Sequence, residues 1–169
     1  MRQSSAKSLR LVGADAGRQV DAPEWAAFCS HCAHSVREAE AEVPRVCASC
    51  GMGLMLHAPV DVVPTSESAF VVADGTLAVG AMSRVAEEFL GVAEAQAVHR
   101  PLTELLAGAD AEAAGVNLAS AIMWAAGGDV TTRVAFVRPT NTFGVRCRAR
   151  IGPCGPPNAA VVVLEDADS

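Results

Sequence analysis

Two short stretches carry the chemistry of this chain, FCSHC at 28–32 and VCASC at 46–50. Cys29 and Cys32 stand two residues apart, as do Cys47 and Cys50, and residues 33–46 separate the pairs. Four thiolates at this spacing can surround one tetrahedral ion, and an all-sulfur shell suits zinc first and iron second. Gly51, directly after Cys50, can take the positive φ that a tight knuckle turn needs, whereas Ala33 after Cys32 is less suited to it. His31, His34 and His57 are near enough in sequence to replace a thiolate, but four cysteines already close the shell. The expected site is therefore one zinc per chain on Cys29, Cys32, Cys47 and Cys50. A closed shell leaves no open coordination position, so the ion is expected to build structure rather than catalyse. A thioredoxin-like redox pair would need a CxxC opening a helix in a βαβ setting, and nothing of that kind surrounds either pair.

The elements that must position these thiolates come from a chain of 169 residues, 51% hydrophobic and 19% charged. That is enough for one full-sized core and a small extra module. No apolar run approaches the ~20 residues of a membrane span, so no membrane association is expected. The first 24 residues lack an apolar stretch typical of a secretory leader and are expected to be a disordered segment. A cytoplasmic location follows as the expectation. Thiols stay reduced there, so six cysteines point to metal binding or reactivity rather than disulfides. Residues 1–60 carry six basic and six acidic side chains, and 61–169 carry seven against thirteen, which gives the net −6. Neither part has the basic excess that phosphate neutralisation requires, so nucleic acid is not an expected partner.

The cysteine segment resembles a zinc ribbon over Trp25–Leu56, and residues 25–57 are assigned as a ribbon-like metal module. Between the knuckles, SVREAEAE reads as one or two helical turns or a strand. HAPVDVVP then punctuates a connection with two prolines. Beyond it, SAFVVADGTLAVGAM reads as two strands around an Asp74-Gly75 turn. SRVAEEFLG reads as a short helix capped by Ser83 and ended by Gly91. A longer helix is expected from about Ala111 to Ala126, stopped by Gly127-Gly128, and DVTTRVAFV, TFGVRCRARI and AAVVVLE complete the chain as three strands.

This order, with VVADGTLAVGAMSRVAEEFLG followed by HRPLTELL, resembles a PAS domain over residues 64–166. The departures are Ser83, where the family usually has Asn, and His99, where it usually has Gly. The resemblance implies an α+β fold, a five-stranded antiparallel sheet with flanking helices. Because zinc ligation is expected to supply most of the folding free energy of the metal module, this unit is expected to fold independently of it. The resemblance also implies a small pocket, expected to be lined by Phe70 and Val72 from the first strand and by Phe89, Leu105, Leu118 and Ile122 from the helical region. Val134, Phe136, Val145 and Cys147 from the last strands complete the expected lining. Such a lining suits a small apolar ligand or is filled by its own side chains. Neither haem nor flavin is expected, because the long helix lacks histidine and residues 52–146 lack cysteine.

Arg133, Arg146, Arg148 and Arg150 are expected on the outer face of the sheet, as a solvated face or a docking surface for a partner protein or a second copy of the chain. Cys154, in GPCGPP, is expected in an exposed loop, and a redox pair with Cys147 has little support. No nucleophile–base pair, phosphate loop or carboxylate pair stands out, so no enzymatic activity is expected. With no output sequence following the last strand, the expectation is a cytoplasmic sensory or regulatory protein that forms a homodimer and signals by protein contacts. The alternative is a transcriptional regulator in which the ribbon reads nucleic acid and the PAS domain dimerises.

Overall fold

The computed structural model describes residues 23–37, 43–109, 117–142 and 144–166. The expected disordered segment at 1–24 therefore lies, except for its last two residues, outside the described residues, as does most of the charged stretch between the knuckles. Two antiparallel sheets form. The smaller has the order β2-β1-β3, from β1 (Trp25–Cys29), β2 (Ser35–Arg37) and β3 (Met55–Pro59). Ser35–Arg37 is strand, which settles the start of SVREAEAE against the helical reading.

The larger sheet contains β4 (Ala69–Ala73), β5 (Val79–Met82), β6 (Leu106–Gly108), β7 (Arg133–Pro139), β8 (Cys147–Cys154) and β9 (Ala159–Asp166). Its order is β5-β4-β9-β8-β7-β6. The sequence led us to expect five strands. The sixth, β6, is the short Leu-Ala-Gly run after the HRPLTELL turn, and it pairs Leu106 with Pro139 and Gly108 with Val137 at the edge of the sheet.

The first hairpin closes where Asp74 Oδ1 accepts from the N–H groups of Thr76 (2.8 Å) and Ala78 (3.0 Å) and from the Thr76 hydroxyl (2.7 Å). Ser83 caps α1 (Arg84–Leu90) by accepting the Ala86 N–H, and Gly91 ends it at φ 63. The same buried hydroxyl accepts the Phe70 N–H at 3.0 Å and donates to the Ser68 carbonyl at 3.1 Å, so it also fixes the helix to β4. A short α2 (Glu94–Ala97) follows. The last helix, α3, is Leu118–Ala126. It does not begin at Ala111, because Asn117 is extended and its side chain caps the Ala119 and Ser120 N–H groups; residues 110–116 lie outside the described residues.

Both faces of the large sheet carry buried clusters. On the inner face Val71, Met82, Leu102, Ile122, Val137 and Ile151 join one cluster with α1 and α3. On the outer face Phe70, Val72, Val161 and Val163 pack with Phe28, Leu56 and Ala58 of the small sheet. Residues of the two sheets, expected from the sequence to form separate units, therefore share one buried cluster, which Val62 of the intervening connection joins. Backbone bonds reinforce the packing, since His57 and Gly155 exchange both N–H···O bonds at 2.6 and 3.0 Å.

Candidate metal centre

Each cysteine pair sits on a tight turn of the same design. Cys29 ends β1, its carbonyl accepts the Ala33 N–H at 3.1 Å, and its own N–H reaches the His34 carbonyl at 2.9 Å. The Cys47 carbonyl accepts the Gly51 N–H at 2.9 Å, and the Cys47 N–H reaches the Gly53 carbonyl at 2.9 Å. The residue after each second cysteine is left-handed: Gly51 at φ 68, as the sequence suggested, and Ala33 at φ 58. Ala33 thus adopts the turn in spite of its Cβ, at a cost of about 1–2 kcal/mol. Its methyl is buried in the outer-face cluster, which offsets part of that strain.

The turns bring the sulfurs together in crossed pairs. Cys29 Sγ lies 3.6 Å from Cys50 Sγ, Cys32 Sγ lies 3.8 Å from Cys47 Sγ, and all four sulfurs fall within 4.8 Å of one another. A tetrahedron with metal–sulfur bonds of about 2.3 Å has edges of about 3.8 Å, so the set fits one ion. The pairs are too far apart to be disulfides, which need about 2.05 Å. Backbone N–H groups of His31 and Cys32 point at Cys29 Sγ, both at 3.4 Å, and that of Gly53 points at Cys50 Sγ at 3.5 Å. These donors favour thiolate charge.

Their effect differs between sites. Burial pushes the Cys29 thiol up to about 12 and raises Cys32 as well, while the Gly53 and Met52 N–H groups draw Cys50 down to about 6. Among the described residues the metal-ligating cluster consists of the four cysteines alone. His31 instead faces Glu94, with Nδ1 3.9 Å from Oε2; His34 is exposed; and His57 lies on β3.

Sequence reasoning missed two residues that build the site. A Cβ on Gly53 would stand 2.3 Å from Cys29 Sγ, so only glycine lets the second turn close over the first. Ser30 joins the turns, as its N–H donates to the Leu54 carbonyl at 2.9 Å and its Oγ accepts the Leu54 N–H at 3.1 Å. The glycine in GMG was the one visible signal.

No family model and no curated protein matches this chain. Several chains of solved structures match it. The PAS domain of nitrogen regulation protein NR(II) from Vibrio parahaemolyticus aligns over 59% of this chain and 88% of that one, at 14% identity and a TM-score of 0.43.

The residues expected to line a pocket are divided between the two faces. Leu105, Leu118, Ile122 and Cys147 belong to the inner cluster, with Phe89 and Val145 packed against it. Phe70 and Val72 belong instead to the outer cluster, under the small sheet. On β7 the inward residues are Ala135 and Val137, leaving Val134 half-buried and Phe136 37% exposed.

The arginines are largely engaged within the chain. Arg148 and Arg150 both reach Glu165, at 3.7 and 2.8 Å, and Arg150 also donates to the Asp61 carbonyl. The short Arg150–Glu165 contact is an ion pair without the alignment of a hydrogen bond from Nε. Arg133 pairs with Asp129 at 2.8 Å and lies over the Trp124 ring, and Arg146 lies over Phe136. Cys154 is buried in β8 rather than exposed in a loop. Cys147 and Cys154 belong to clusters on opposite faces of the sheet, which excludes a bond between them.

Among the described residues no helix is long and apolar enough to cross a membrane.

Proposed function

We propose that this chain is a sensory or regulatory protein in which one zinc ion, held by Cys29, Cys32, Cys47 and Cys50, fixes a ribbon-like sheet against a PAS-type sheet. The single observation that carries the reading is the convergence of four sulfurs within 4.8 Å on turns whose strands pack against the large sheet. The hairpin, the helices and the three closing strands follow the order that the PAS resemblance implies. The regulatory class of the function is carried over from that resemblance. Zinc is preferred over iron because a closed thiolate shell without redox partners serves a structural role, and zinc has no redox chemistry.

In this reading the protein is cytoplasmic, non-catalytic and homodimeric, and it signals through contact with another protein. Phe136, on the outer side of β7, is 37% exposed, which gives a second copy an apolar contact. Light scattering of the zinc-loaded chain should return a dimer mass, and Phe136→Asp should return a monomer. The regulatory reading is tested by crosslinking in the native host, comparing wild type with the Cys29→Ser and Cys50→Ser variants. A reproducible protein partner lost in both variants supports it. A chain that instead shifts nucleic acid in a low-salt gel and recovers no protein contradicts it.

A further inference from the structure

A cavity of about 490 Å³ opens between the metal-binding turns and the outer side of the β4–β5 hairpin. Its walls come from both sheets, with Leu54 and Leu56 on one side and Val72 and Ala81 on the other. This is a different place from the inner face, where a PAS fold was expected to hold a ligand and where Val71, Met82, Ile122 and Val137 are packed without exposure. The size falls in the range of small-molecule sites, about 300–1,000 Å³, and the site is built as such sites are, apolar with a few convergent polar groups.

Two carboxylates, Asp74 and Glu94, line the cavity together with His31 and His99, and among the described residues no lysine or arginine does. Each carboxylate is held by the protein through one oxygen. Asp74 Oδ1 takes the Thr76 and Ala78 donors; Glu94 Oε1 accepts the Met82 N–H at 2.9 Å, leaving Oε2 facing His31 at 3.9 Å. The Thr76 hydroxyl holds the Asp74 carboxyl below its usual range, so it is ionised at neutral pH. His99 reaches the rim from a left-handed backbone at φ 68, a conformation that favours glycine.

We propose that this cavity binds a small organic cation, an amine whose apolar body lies against Leu54, Leu56 and Val72 and whose charged nitrogen meets Asp74 and Glu94. An anion would meet two carboxylates and, among the described lining residues, no lysine or arginine to receive it, which opposes binding. A neutral molecule of the same shape gains the apolar contact alone. The bound amine would span both sheets and touch the turns whose His31 and Gly53 N–H groups face the thiolates, so occupancy would be felt at the metal centre. The inference gives the regulatory reading a ligand class and rests on that reading for its use.

The test uses the zinc-loaded full chain and three indoles of similar shape: tryptamine, tryptophol and indole-3-acetate. Calorimetry should show saturable tryptamine binding about tenfold or more tighter than either of the others. Amide shifts should fall at Gly53, Leu54 and Gly80. Asp74→Asn and Glu94→Gln keep the acceptor oxygens that hold the hairpin, and each should weaken tryptamine about tenfold while leaving tryptophol unchanged. Absence of saturable tryptamine binding, equal affinity for indole-3-acetate, or shifts centred on Leu118 and Ile122 would overturn the proposal. Zinc content is measured in the same samples. Lost binding with metal and fold intact removes the ligand class alone, whereas a folded chain without metal removes the proposed function.

Discussion

Phe28 and Phe70 meet edge to face, with ring centroids 5.8 Å apart and planes at 82°. Phe28 immediately precedes the ligand Cys29 on β1, Phe70 lies on β4 of the large sheet, and neither ring is exposed. This pair connects the metal centre directly to the outer face of the large sheet. Phe70→Ala should destabilise the zinc-loaded chain by about 3–5 kcal/mol through lost burial and the cavity left behind. Chemical denaturation measures this, and a loss below about 1 kcal/mol would mean that the rings are not packed as described.

Gly53 offers a sharper local test. Because a Cβ there would overlap Cys29 Sγ, Gly53→Ala must displace either the sulfur or the second turn. Zinc affinity should fall about tenfold or more, read by competition with a chelating dye. Gly51→Ala meets no atom within 4 Å but keeps a left-handed φ, so it should cost only about 1–2 kcal/mol of stability. Equal metal affinity in Gly53→Ala and wild type would contradict the placement of the turns.

The knuckles were legible because CxxC spacing is a local signal, and the hairpin and Ser83 cap were legible for the same reason. What the sequence hid was set by tertiary packing. The need for glycine at 53 arises from a sulfur 24 residues away, which no local pattern encodes. The run AFVVA is buried at every position, so it carries no alternation to show that Phe70 and Val72 face the small sheet rather than the helices. On β7 the large Phe136 suggested an inward face, whereas the inner layer takes the smaller Ala135 and Val137 and leaves Phe136 stacked under Arg146. Pro153 and the following GPP masked the end of β8, which runs on to Cys154 along β9.

Metal uptake should depend on pH in a definite direction. In the metal-free site, burial keeps Cys29 protonated up to about 12 and raises Cys32, whereas Cys50 is already a thiolate above about 6. Zinc takes thiolates and must displace the protons on Cys29 and Cys32, so apparent affinity rises with pH. Below about 6 the Cys50 thiolate is lost as well, and affinity should fall more steeply. Calorimetry in buffers of different ionisation enthalpy should detect proton release on zinc binding near neutral pH. Uptake with no proton release would contradict this protonation pattern.

The central claim is that the four-cysteine centre, once loaded with zinc, and the large sheet share one cooperative core. It is tested most directly by hydrogen exchange along the chain, before and after zinc is stripped by a chelator. The account predicts faster exchange throughout β1–β3 and also at Phe70, Val72, Val161 and Val163, whose side chains pack against the small sheet, together with a lowered thermal transition for the whole chain. Exchange that stays unchanged beyond Pro59, or a small sheet that remains protected without metal, would contradict it.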